Sequence, residues 1–302
     1  MRYSLGTVIL SAVFSSFSFA QNGKDQKVEV AFDFSHNQII IQVKIDGKGP
    51  FNMLLDTGTD PSAIDLATAK EIGLKLGSNG HQGSGGGTAT NLSYATKLPT
   101  LEVGGLAAKN VEAAAIDLSK VSTGIGRPVH GVLGHSFLKN RIVQIDYPRH
   151  EVRFYEKSPL LKTNDQAGNT KQSTLSFHYD DGVLIDGVFV DGKPMTANFD
   201  TGSSGYFQLT PAAVKVLGLD DEVAKAKVSR SVGYNGQFEN REGQLKNVTI
   251  GGISLDNPAV TFFGKGTGHD KRPWGINIGN AFLKDYVVTI DYRSKKITLE
   301  NQ

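Results

Sequence analysis

Leu54-Leu55-Asp56-Thr57-Gly58-Thr59 and Asn198-Phe199-Asp200-Thr201-Gly202-Ser203 carry one pattern twice, with the aspartates 144 residues apart. Working outward, Ile72-Gly73-Leu74 recurs as Leu217-Gly218-Leu219 and Val132-Leu133-Gly134-His135-Ser136-Phe137-Leu138 as Asn277-Ile278-Gly279-Asn280-Ala281-Phe282-Leu283, both at an offset of 145. Leu101-Glu102-Val103-Gly104-Gly105-Leu106 answers to Val248-Thr249-Ile250-Gly251-Gly252-Ile253 at 147, and Val143-Gln144-Ile145-Asp146-Tyr147 to Val288-Thr289-Ile290-Asp291-Tyr292 at 145. Collinear matches whose spacing drifts by at most three residues mean that a unit of about 145 residues has been duplicated, with small changes in its loops.

Each copy reads as strands and tight turns. Ile39–Ile45 runs into Asp46-Gly47, and Val183–Val190 into Asp191-Gly192, which are apolar strands closing on hairpin dipeptides. Helical spacing is confined to residues 65–74 and 211–219, each stopping at a glycine, so one short helix is expected after each Asp-Thr-Gly. The stretch 158–172 is polar and aperiodic, as a linker should be. The expected organisation is a first half at 21–157, a linker at 158–172 and a second half at 173–302, in an all-β class. With 302 residues, 39% apolar content and 35 glycines among short apolar runs, the chain can bury a core in each half.

Residues 1–20 carry Arg2, an apolar stretch diluted by serines, and Ser18-Phe19-Ala20, which reads as a signal peptide cleaved after Ala20. A secreted or periplasmic location is therefore expected. The apolar stretch is shorter than the roughly 20 residues that a spanning helix needs, so no membrane span is expected in the mature chain. Without cysteine, neither disulfides nor thiolate metal sites are available. Loss of Arg2 leaves 31 basic against 30 acidic residues, a balance that points to neither nucleic acid nor a charged membrane surface. Seven histidines lie scattered without ligand spacing, so no metal and no cofactor is expected. His81 and His135 lie near the motifs, and the lone Trp274 reads as core or as part of a lid.

One Asp-Thr-Gly is more often an ordinary turn at a strand end. Two of them at equivalent places in duplicated halves change the reading, because a pseudo-two-fold packing brings Asp56 and Asp200 face to face. Two carboxylates at close range cannot both ionise cheaply, so one stays protonated as an acid while the other serves as a base. Thr57 and Thr201 can hold the two loops across the pseudo-axis. Thr59 and Ser203 are expected to donate to the outer carboxylate oxygens, with Gly58 and Gly202 shaping the turns.

The chain resembles the retropepsin-like and pepsin-like aspartic peptidases, specifically exported bacterial chains with tandem retropepsin-like domains. That resemblance rests on apolar-Asp-Thr-Gly-Ser/Thr followed by apolar-apolar-Gly before a short helix, found twice; Asn277 departs from it. It implies two β-barrel halves of the acid-protease fold around a cleft, and an aspartic endopeptidase that hydrolyses peptide or protein substrates with water activated between Asp56 and Asp200. It also implies glycine-rich flaps, for which residues 82–88, with Gly85 and Gly86, and residues 231–236, with Gly233 and Tyr234, are the candidates. Pepsin-like enzymes carry a tyrosine on the first flap, whereas here it stands on the second. Two alternatives stay open. One is a non-catalytic peptide-binding protein of the same fold, and the other is a homodimer, rather than a monomer, in which each half pairs with its copy in another chain.

Overall fold

The computed structural model describes residues 27–83, 85–155 and 172–301. The expected signal peptide, and the linker up to residue 171, lie outside the described residues; Gln172, assigned to the linker, begins strand Gln172–Tyr179.

Each half is a barrel built in the same strand order. In the first, Gln38–Ile45 pairs with Lys48–Leu55, which runs parallel to Gly131–Leu133. Ser62–Asp65, Leu106–Ile116 and Leu92–Val103 follow in turn. Leu92–Val103 then returns to Gln38–Ile45 through Leu101 and Glu102 and closes the ring. In the second half Val183–Val190, Lys193–Phe199, Ile276–Ile278, Phe207–Leu209, Ala259–Phe263 and Gly236–Gln244 repeat the order, and Asn247–Ile250 comes back to Val183–Val190. The two expected hairpins form where their dipeptides stand. Asp46 and Gly47 have φ of 50° and 73°, and Asp191 and Gly192 have 48° and 78°, which is the left-handed pair that a twisted two-residue hairpin demands.

The halves are joined by a six-stranded layer to which each contributes three strands, Lys27–Ala31, Glu151–Tyr155 and Ile142–Asp146 from the first and Tyr286–Asp291, Lys296–Asn301 and Gln172–Tyr179 from the second. At its centre Ile142–Asp146 runs antiparallel to Tyr286–Asp291, with Gln144 opposite Thr289. Those two residues are equivalents in the duplicated unit, so the pseudo-two-fold axis passes between them, and Gln144 Nε2 donates to Thr289 Oγ1 at 3.1 Å. One continuous apolar core underlies both barrels and this layer, including Ile145, Tyr147, Ile290 and Tyr292. Apolar burial in that shared layer stabilises the pairing of the halves as well as each barrel.

The helices exceed the expectation of one per copy. Leu66–Glu71 and Pro211–Leu217 form as read, capped by Asp65 and Thr210, and Gly218 ends the second with φ of 75°. Ser119–Ile125 and Asp220–Lys225 are additional, while His135–Leu138 and Asn280–Leu283 are the short helices that the resemblance implied after each apolar-apolar-Gly. Each is at most two turns long, below the length at which apolar periodicity is readable. Among the described residues, no helix is long and apolar enough to cross a membrane.

Candidate active site

Asp56 and Asp200 follow the ends of strands Lys48–Leu55 and Lys193–Phe199, and each is held by the strand that threads behind it. Asp56 N–H donates to Leu133 O at 3.1 Å, and Asp200 N–H to Ile278 O at 3.0 Å. The apolar-apolar-Gly segments singled out in the sequence are therefore the supports of the two Asp-Thr-Gly loops.

Across the pseudo-axis, the two threonines lock the loops reciprocally. Thr57 Oγ1 donates to Phe199 O at 2.5 Å and accepts from Thr201 N–H at 3.1 Å; Thr201 Oγ1 donates to Leu55 O at 2.9 Å and accepts from Thr57 N–H at 3.1 Å. Both threonines are buried, so these bonds exchange no partner with water. Gly58 and Gly202 make the approach possible. A Cβ on Gly202 would lie 2.2 Å from Asp56 Cγ, and one on Gly58 would lie 3.1 Å from Asp200 Oδ1, so a side chain at either position would drive the carboxyls apart.

The two carboxyls converge on one point, since a Cβ on Gly58 would stand 3.1 Å from Asp200 Oδ1 and 3.3 Å from Asp56 Oδ1, and their environments differ. Asp56 Oδ1 accepts from Gly58 N–H at 2.7 Å, and Asp56 Oδ2 accepts from Thr59 Oγ1 at 2.6 Å and from Tyr234 Oη at 2.9 Å. Asp200 Oδ1 accepts from Gly202 N–H at 2.9 Å, and Asp200 Oδ2 from Asn277 Nδ2 at 3.0 Å. Removal from water, followed by the charge of neighbouring Asp56, pushes the Asp200 carboxyl up to about 7; the bonds from Asn277 and Gly202 oppose that rise. Asp200 is therefore the carboxyl that holds its proton more tightly than usual, while Asp56 has three donors around it.

Thr59 stands where the sequence reading puts it. Ser203 does not: its Oγ donates to Gln208 Oε1 at 2.8 Å, and its place on Asp200 is taken by Asn277. Asn277 Nδ2 also donates to Gln208 Oε1 at 2.7 Å, and Asn198 Nδ2 donates to Asn277 Oδ1 at 2.7 Å, so a chain of amides, buried at Asn198 and Asn277 and half-buried at Gln208, backs Asp200. The departure of Asn277 from the apolar pattern was the one signal of this chain in the sequence. Gln208 was missed, because nothing marks a lone glutamine in a short strand as belonging to a site.

The flap candidates differ from each other. Residues 231–236 form the tip of a hairpin, Lys227–Gly233 with Gly236–Gln244. Residues 82–88 instead lead out of the short strand His81–Gln82, which pairs with Leu92 and Ser93, and Ser84 among them lies outside the described residues. Gly85, Gly86 and Gly233 meet at the seam between these loops, and Tyr234 turns beneath it to Asp56. Trp274 is buried with Leu184, Phe238 and Phe263. His135 stacks on Tyr179 at 3.6 Å, and burial lowers its pKa.

A family model described as aspartyl protease matches residues 41–137 and again residues 187–280. A solved structure, a retropepsin-like aspartic protease from Rickettsia conorii, is similar at 20% sequence identity and a TM-score of 0.33, covering 44% of this chain and 92% of that one. No curated protein matches.

Proposed function

Because the chain belongs to the aspartyl protease family, we propose that it is an aspartic endopeptidase with a single cleft between its two halves, in which Asp56 and Asp200 together activate a water. The observation that carries this reading is the convergence beside Gly58 of two carboxyls, one from each half of one chain, on loops locked together by Thr57 and Thr201. Asp56, as the carboxylate, removes a proton from water while the water oxygen attacks the peptide carbonyl carbon. Asp200 gives its proton to the carbonyl oxygen, forming a neutral tetrahedral diol. The proton on Asp56 then passes to the amide nitrogen, the C–N bond breaks, and Asp200 recovers its proton from the diol as the new carboxylic acid forms. Thr59 and Asn277 orient the two acids, and the threonine lock keeps them at the separation that proton sharing requires.

The test is digestion of a proteome-derived peptide mixture by wild type, Asp56→Asn, Asp200→Asn and the double variant. Each single variant should lose about 10³-fold or more in rate, and the double should be barely worse, since the two groups act as one unit. Activity should fall as pH rises through about 7, where the shared proton leaves Asp200. Substantial turnover in either single variant sinks the shared-dyad mechanism. An inactive wild type at every pH, still binding peptide, moves the chain to a peptide-binding role.

Export to the periplasm or medium is part of the same proposal, supported by the apolar segment ending in Ser18-Phe19-Ala20. N-terminal sequencing of protein recovered outside the cytoplasm should read from Gln21, and Met1 there would count against it.

A further inference from the structure

The roof over the dyad is a closed seam of three loops joined through their backbones. Asn235 N–H donates to Gly86 O at 2.9 Å, Ala89 N–H to Asn235 O at 2.9 Å, and Gly87 N–H to Thr267 O at 3.1 Å. Asn235 Nδ2 adds bonds to Gly83 O and Gly85 O, both at 3.1 Å. Directly under this seam the hairpin tip points Tyr234 inward. Its Oη lies 2.9 Å from Asp56 Oδ2 and 3.1 Å from Thr59 Oγ1, while its side chain, like those of Val121 and Ile125, packs against an apolar wall that includes Leu54, Leu118 and Val132. The result is one-sided. Asp56 is 5% exposed, whereas Asp200 keeps partial access.

We propose that Tyr234 is a tethered occupant of the substrate's place: in the closed chain its phenol stands on Asp56 where the attacking water and the peptide carbonyl must come, and a peptide binds only as the tyrosine withdraws. A buried carboxylate needs donors, and the phenol supplies one in the absence of water or peptide. Burial and the nearby Asp56 charge raise the tyrosine's pKa well above its ordinary value, so it remains a donor throughout the accessible pH range. The occupant can leave, because among the described residues strand Lys227–Gly233 is outermost in its sheet and pairs with Gly236–Gln244 alone. A ligand's apparent affinity falls by the fraction of molecules held closed, so Tyr234 acts as an internal competitor. The substrate named here rests on the peptidase reading; the occlusion of Asp56 does not.

The experiment is esterification of Asp56 by the carboxyl-directed epoxide 1,2-epoxy-3-(4-nitrophenoxy)propane, followed by mass spectrometry. It is run on the full chain as wild type, Tyr234→Ala, Tyr234→Phe and Asn235→Ala, with folding checked by circular dichroism. Labelling of Asp56 should be about tenfold faster in Tyr234→Ala, the ratio expected from losing one hydrogen bond to a charged group. Tyr234→Phe, which keeps the ring and the fold, should also label faster. So should Asn235→Ala, which loosens the seam without touching the dyad. Equal labelling rates in wild type and the folded Tyr234 variants overturn the proposal. Peptide turnover, followed also in Tyr234→Phe, separates the readings: with the tether, KM falls in Asn235→Ala while kcat is kept. A collapse of kcat with unchanged labelling makes Tyr234 part of the chemistry and removes the tether. Faster labelling in variants that, like wild type, cleave nothing keeps the tether and rejects the peptidase.

Discussion

The two halves place Leu54, Ala63 and Val132 of the first opposite Asn198, Gln208 and Asn277 of the second, at equivalent positions of one duplicated frame. Behind Asp56 those side chains belong to an apolar cluster; behind Asp200 they form a hydrogen-bonded chain of amides. Duplication thus supplies two matched carboxylates, and divergence of their surroundings supplies the difference between them. Asp56 draws its outer donors from Thr59 and the lid, while Asp200 draws its own from the barrel wall. Two identical acids have no reason to divide a proton one way. Unequal neighbours do, and under the proposed function they make one the base and the other the acid.

The sharpest way to break this comparison is through the proton itself. The Asp200 carboxyl sits at about 7 in the folded chain against 3.8 ordinarily. A carboxyl raised on folding contributes stability that is fully present below its ordinary value and lost as pH climbs through the folded one. At about 1.4 kcal/mol for each pH unit of that window, the penalty above pH 7 reaches about 4 kcal/mol. Asp200→Asn should therefore raise the melting temperature at pH 8 and leave it nearly unchanged at pH 3.5, and equal shifts at both would deny that Asp200 holds the proton.

The threonine lock is the part of the site where the halves should behave alike. Thr57→Ala and Thr201→Ala each strand a buried backbone N–H and carbonyl, at a cost of about 2 kcal/mol. Urea unfolding should give the two the same loss within about 1 kcal/mol; a large difference would mean that one half holds the axis and the other follows.

The smallest effects test the wall. Asn277→Val gives the second half the residue of the first. It should reduce kcat about tenfold, and it should move the upper limb of the pH–rate profile to higher pH, because the lost bond opposes the rise of the Asp200 carboxyl. Ser203→Ala should change the rate by less than about threefold, since Ser203 touches Gln208 and not the acid. A pH profile that stays put in Asn277→Val would leave that side chain a packing role only.

How far the chain could be read follows from where each interaction lies along it. The duplication, the Asp-Gly hairpins and the helices at Leu66–Glu71 and Pro211–Leu217 are local patterns, and they formed where the sequence put them. The hairpin tip at residues 231–236, the second flap candidate, was legible as a glycine-rich turn with a tyrosine. The first, at residues 82–88, was less so, because it leads from a two-residue strand whose partner lies ten residues further on. Ser203 was read by analogy with Thr59, and the analogy failed because Gln208, five residues away, offers an acceptor that the equivalent Ala63 does not.

Sequence alone determined the barrel units, the pairing of two Asp-Thr-Gly loops and the two aspartates those loops present, because repetition and turn chemistry are written in neighbouring residues. Only the tertiary structure decided what surrounds each acid. Those surroundings depend on Asn277, 77 residues from Asp200, and Tyr234, 178 residues from Asp56, and a contact at such separation leaves no periodicity, spacing or turn in the chain that would announce it.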